Sequence, residues 1–121
     1  MNLDEITFSI LDLISEDVYG SWELWGGVVQ DSGGNVSPDL RQQFVNTVHH
    51  LVQNKKIHVW HHKSWSGNEN TYTPTDLDEE QLTYEMEHYQ KPDPDTYYWF
   101  EATETGKSEY ERLYRLLNKK D

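Results

Sequence analysis

Two segments with strand patterning stand in a chain whose other periodic stretches are helical, and they limit the fold more than any other feature. Residues 57–63 alternate, with Ile57, Val59 and His61 on one face and His58, Trp60 and His62 on the other. Residues 96–102, Thr96-Tyr97-Tyr98-Trp99-Phe100-Glu101-Ala102, carry the aromatic side chains that suit a pleated surface. An isolated pair of strands is barely stable in water, so the two are expected side by side, laid against a helical body. A length of 121 residues suits one domain spanning 1–121 around one core.

The helical body is written in cap and stripe patterns. Asn2 and Glu5 form a capping-box start, and Leu3, Ile6, Ile10, Leu13 and Ile14 follow at helical spacing, which predicts a first helix of three to four turns. Residues 19–29 predict a short second helix capped by Ser21 and closed by Asp31-Ser32-Gly33-Gly34, although Gly26 and Gly27 weaken it. Ser37-Pro38-Asp39 is a strong helix start. From it Leu40, Phe44, Val48 and Leu51 form one stripe that ends near Asn54. The opposite face of this third helix carries Gln42, Asn46, His49 and Gln53, polar and uncharged. A closing helix opens at Thr103-Glu104-Thr105-Gly106, with Tyr110, Leu113, Tyr114 and Leu117 on one stripe and Glu111 paired to Arg115.

Between the strands lies an insertion of about 64–95. It reads as turn-rich from Ser64 to Pro74, helical from about Asp76 to Tyr89 and extended at Pro92-Asp93-Pro94. Connections of that length usually have a use. The net charge of −12 is concentrated here: residues 64–101 hold ten acids against Lys91 alone, whereas residues 40–63 hold none. The latter stretch has Arg41, Lys55, Lys56 and Lys63 with five histidines, and the contrast predicts two different faces. Trp22, Trp25, Tyr98 and Phe100 are expected in the core. Trp60, Trp65, Tyr72, Tyr84, Tyr89, Tyr97 and Trp99 include some that one small core cannot hide.

The order helix, short helix, helix, strand, long hairpin loop, strand, helix resembles the winged-helix domain of many bacterial regulators. Ala102-Thr103-Glu104-Thr105-Gly106-Lys107 looks like the Thr-x-x-Gly step by which such domains pass from the last strand to the last helix. Tyr19-Gly20-Ser21-Trp22-Glu23-Leu24, Lys56-Ile57 and Trp99-Phe100-Glu101-Ala102-Thr103-Glu104-Thr105-Gly106 together are similar to a group of small uncharacterised bacterial proteins. The resemblance implies a fold: a mainly helical α+β domain, a winged helix (winged helix-turn-helix) with a two- or three-stranded antiparallel β-hairpin, a long wing insertion and a C-terminal helix. It does not imply a function.

Patterns that suggest chemistry fall short of a site. His58-x-x-His61-His62 splits across the strand faces and lacks a clear carboxylate partner, which favours surface histidines over a metal site. Gly106-Lys107-Ser108 lacks the earlier glycine of a phosphate loop, since Glu101 stands there; close packing at a strand-to-helix junction is the expected role of Gly106. No nucleophile elbow is present, and the acidic pairs read as solvated charge. No enzyme, cofactor or metal is expected. With no Cys, no basic signal segment and no apolar run long enough for a bilayer, the reading is a soluble cytoplasmic protein, and Asn35-Val36-Ser37 reads as a helix start instead of a glycosylation site.

Two functions remain. The first is a protein-binding module, immunity- or inhibitor-like, whose acidic and aromatic insertion takes a basic partner, or a module that pairs with itself as a homodimer; the residues for capture are Trp65, Tyr72, Asp78, Glu79, Glu80, Tyr84 and Glu85. The second is a DNA-binding regulator that reads bases with Gln42, Asn46, His49 and Gln53 on helix 37–54 and meets phosphates with Arg41, Lys55, Lys56 and Lys63. Nucleic acid is disfavoured by the net charge, because phosphate neutralisation supplies most non-specific affinity.

Overall fold

The computed structural model describes residues 2–34, 36–62, 72–87 and 98–118, and only the backbone of residues 61, 62 and 72–74. Lys63, Trp65, Tyr89 and Tyr97 lie outside the described residues, as does the whole of the expected extended segment at 92–94. The fold is a mainly helical α+β arrangement. Among the described residues five helices, α1 (Leu3–Ile14), α2 (Ser21–Asp31), α3 (Pro38–Gln53), α4 (Glu79–Glu87) and α5 (Glu104–Asn118), accompany four strands: β1 (Tyr19–Gly20), β2 (Ile57–His62), β3 (Tyr72–Pro74) and β4 (Tyr98–Ala102).

The helix starts are where their caps place them. Asn2 Oδ1 accepts from the Glu5 amide at 2.8 Å, Glu5 Oε1 accepts from the Asn2 amide at 3.1 Å, and the Ser37 hydroxyl accepts from the Leu40 amide at 3.0 Å. The second helix begins differently from the expectation: Gly20 is its cap residue, and Ser21 is its first helical residue, fully buried. Gly27 permits the tight packing of α2 on α1, since a Cβ there would lie 2.6 Å from Leu13 Cδ1.

The sheet is antiparallel in the order β1-β4-β2-β3. β2 and β4 pair as expected, with Val59 opposite Phe100 and Trp60 opposite Trp99. Two short strands correct the expected two- or three-stranded hairpin. Tyr19–Gly20, expected within the second helix region, pairs with β4, and Tyr72–Pro74, expected as a turn-rich stretch, adds an edge to β2. Pro74, which lacks an amide hydrogen, is tolerated because that edge is outermost.

One core collects Ile6, Ile10, Phe44, Val48, Phe100 and Leu113 from helices and sheet. Trp25 packs on Phe44 with ring centroids 5.1 Å apart and planes at 60°. Each such side chain removed from water contributes roughly 1.5–3 kcal/mol before entropy is set against it. One aromatic placement differs from expectation: Trp22 is only half-buried; of the aromatics too many for one core, Trp99 is among those the body hides, at 5% exposure.

The α3–β2 turn and the β4–α5 junction hold each other. Lys55 sits at φ 60°, the left-handed region, while the Lys56 amide donates to Leu51 O at 2.9 Å and the Lys55 amide to Val52 O at 3.1 Å. That is a Schellman cap with lysine where glycine is usual. The freed carbonyls of Lys55 and Lys56 accept from Thr103 Oγ1 at 2.7 Å and from the Thr103 amide at 3.1 Å. Thr103 Oγ1 also accepts from the Gly106 amide at 3.0 Å, so it caps α5. A Cβ on Gly106 would stand 2.1 Å from the Lys56 carbonyl oxygen, which is why the Thr-x-x-Gly step ends in glycine. On α5 the ion pairs run from Glu109 to Arg112 and to Lys56, in place of the expected Glu111–Arg115 pair.

Candidate functional site: the acidic helix on the helical face

The expected helix of 76–89 forms over Glu79–Glu87, and its start is set by Asp78. Asp78 Oδ1 accepts from the Glu80 amide at 2.9 Å, and the Asp78 amide donates to Tyr98 Oη at 3.1 Å. A wing insertion presented for capture is expected to stand out from the body, and for this part of it the structure corrects that. α4 packs against α2 and α3, with Leu82 at 0% and Met86 at 2% exposure.

Glu85 is the second correction. Expected among the acids of a binding surface, it is fully buried. Its Oε1 accepts from Ser21 Oγ at 2.6 Å and from the Tyr98 amide at 2.7 Å, and its Oε2 accepts from Gln81 Nε2 at 3.0 Å. One carboxylate thereby ties the insertion to the first turn of α2 and to the beginning of β4. Burial pushes the Glu85 carboxyl above its ordinary range, against the lowering effect of those three hydrogen bonds. Burial also raises Tyr98, and the nearby Glu85 and Asp78 charges add to that shift.

With Leu82, Glu85 and Met86 turned inward, the outer face of α4 is defined. Glu80, Tyr84 and Glu87 follow at i, i+4 and i+7, all exposed, with Tyr84 at 54%. Exposed Asp76 and Asp78 extend the same charge before the helix begins. α4 has no basic residue. Of the expected capture set, Asp78, Glu79, Glu80 and Tyr84 come together here and Glu85 does not; Tyr72 lies on the edge strand, and Trp65 is outside the described residues.

The acid-rich and acid-free stretches, expected on different faces, meet. Glu79 Oε1 lies 3.1 Å from His49 Nδ1 without hydrogen-bond alignment, and Glu87 Oε1 lies 3.4 Å from Arg41 Nη1. Glu87 at the negative end of the α4 dipole is offset by that guanidinium. Both pairs are well exposed to solvent and contribute only about 0–1 kcal/mol each; the apolar contacts and Glu85 hold the helix in place. Of the set expected for DNA, Gln42, Asn46, Gln53 and Lys55 are exposed, Gln42 Nε2 donates to Asn46 Oδ1 at 2.9 Å, and Lys56 is paired with Glu109 at 3.3 Å.

Sequence reasoning missed the role of Glu85, although a signal existed. Residues 82, 85 and 86 share one side of a helical wheel, so a glutamate between two apolar anchors faces inward. Among the described residues no three His, Asp or Glu side chains converge as a metal-binding group, and no helix is long and apolar enough to cross a membrane. No family model matches the chain, and neither the curated proteins nor the solved structures give a match to it.

Proposed function

We propose that this chain is a winged-helix module that captures a basic protein through the outer face of α4, in an immunity- or inhibitor-like role, and performs no chemistry itself. The element order supports the winged-helix reading: α1, α2 and α3 precede β2, β4 lies between β1 and β2 in the sheet, and α5 follows β4. In that reading β3 and α4 are an insertion in the wing. One observation carries the functional reading. α4, which has no base of its own, is anchored from inside by Leu82, Met86 and Glu85 while it presents Glu80 and Tyr84 outward, with Glu79 and Glu87 flanking them beside His49 and Arg41 of α3. A preorganised acidic face with an exposed tyrosine loses little entropy on meeting a cationic surface, and its field steers the encounter.

The test is capture of basic proteins on the immobilised chain at low and high salt, after nuclease treatment. The variant with Asp78→Ser, Glu79→Ser and Glu80→Ser keeps a capping hydroxyl at position 78 and removes three charges. It should lose the salt-sensitive partner; undiminished capture would remove this reading.

The exposed, uncharged Gln42, Asn46 and Gln53 favour a second reading, in which α3 reads duplex DNA. Anisotropy with a random duplex at low salt separates the two, because a DNA reader binds there whatever the sequence.

A further inference from the structure

We propose that a second copy of this chain pairs with it through α5, antiparallel about a two-fold axis near Leu113, on a surface separate from α4. The helix buries little of itself against its own body: only Gly106 and Leu113 are buried. Tyr110 stacks on Phe8 of α1, with centroids 5.3 Å apart and planes at 19°, and its hydroxyl donates to Asp12 Oδ1 at 2.7 Å. Beyond it, Tyr114 is 52% exposed. Its ring rests against Phe8 and Tyr110, with centroids 6.3 Å away in each case, and about half of it stays open, so an aromatic surface continues outward from the α1–α5 contact.

The charge of α5 selects the occupant. The chain carries −12, yet Glu104–Asn118 holds Glu104, Glu109 and Glu111 against Lys107, Arg112 and Arg115 and is neutral. A basic partner would find no field to follow here. A second α5 would, because Glu111 and Arg115 are complementary to each other when the helix is reversed. Glu109 is already engaged by Lys56 and Arg112, whereas Glu111 and Arg115 have no ion-pair partner among the described residues. About an axis near 113, positions 111 and 115 exchange places, so each Glu111 meets the other copy's Arg115 and the dimer holds two such pairs. Tyr114, one position from the axis, meets its own counterpart.

The shape agrees with the charge. The rows 110–114 and 111–115 border a shallow groove lined by Tyr110, Glu111, Tyr114 and Arg115. Two helices of the same hand pack by setting one such i, i+4 ridge into the other's groove. A two-fold pair uses the same groove on both copies, which is the isologous contact expected of a homodimer. The long-range repulsion of two acidic chains is largely screened beyond about 8 Å at physiological salt.

Sedimentation equilibrium of the full chain at physiological salt tests this. The average mass should climb with concentration from 14.4 kDa toward twice that value. Glu111→Arg should weaken the dimer about tenfold or more, a difference of about 1.4 kcal/mol. That substitution lowers the net negative charge, so general repulsion predicts the opposite effect. Tyr114→Ser should weaken pairing as well, and Glu111→Arg combined with Arg115→Glu should restore it to within about threefold of the parent. All three positions are exposed, so thermal melting should show each variant folded. A monomer persisting to about 1 mM, the weak end of the affinity scale, overturns the proposal. So does a dimer indifferent to Glu111→Arg, or a double variant that fails to recover. Loss of pairing leaves capture on α4 untouched, so the two proposals fail separately.

Discussion

Replacing Glu85 tests whether one buried carboxylate holds the insertion on the body. Glu85→Ala deprives the Tyr98 amide and the Ser21 hydroxyl of their acceptor among fully buried side chains, while half-buried Gln81 can turn toward water. A buried donor left unpaired costs about 1–3 kcal/mol, so two cost about 2–6 kcal/mol. The removed charge no longer needs desolvation, which offsets part of this, and a net loss of about 2–4 kcal/mol is expected. Glu85→Gln behaves differently. Its oxygen keeps both Oε1 bonds, and Gln81 can reverse its amide to accept from the new nitrogen.

The pH dependence then follows by sign. Because the Glu85 carboxyl is raised, the native state holds this proton to higher pH than the unfolded chain, and the stability this group contributes falls as pH rises above the ordinary carboxyl range. Glu85→Gln is therefore at least as stable as the parent at pH 7, and its advantage shrinks as pH is lowered toward that range. Urea melts of parent and both variants across that interval read these differences, and amide exchange over 79–87 reports whether α4 loosens first in Glu85→Ala. If Glu85→Ala lies within about 0.5 kcal/mol of the parent, or Glu85→Gln is equally damaging, the reasoning fails.

The turn at the end of α3 supports two further expectations. Gly106→Ala drives a methyl into the Lys56 carbonyl and should destabilise by about 1–3 kcal/mol or more, read as a lowered urea midpoint. Lys55→Gly relieves left-handed strain of about 1–2 kcal/mol while adding unfolded-chain entropy, so a net gain of about 0.5–1 kcal/mol and a higher Tm are expected; an unchanged or lower Tm would place the strain elsewhere.

Local chemistry was enough to locate much of the fold. Asn2 with Glu5, Ser37 with Pro38, and Thr103 with Gly106 set three helix starts through bonds that span only three or four residues, and such bonds are visible in any chain that contains the pattern. The alternation of 57–63 and the aromatics of 98–102 likewise identified the two central strands, because each side chain's face follows from parity alone. Tyr19–Gly20 and Tyr72–Pro74 carry too few residues for a period, and their strand state comes from the partner edge they meet.

The candidate site divides along the same line. Its charge was legible, since an excess of acid between residues 64 and 101 is a property of composition. Which acids face outward was not. Glu80 and Glu85 have the same side-chain chemistry and stand on the same helix, yet one is exposed and the other is enclosed by Ser21, Gln81 and Tyr98. Residue type determined that this protein would have helices, a small sheet and an acidic surface, because propensity, capping and charge act over a few bonds. Only the tertiary structure decided that the acidic helix would lie back across α2 and α3, because that choice depends on contacts between residues dozens of positions apart in the chain.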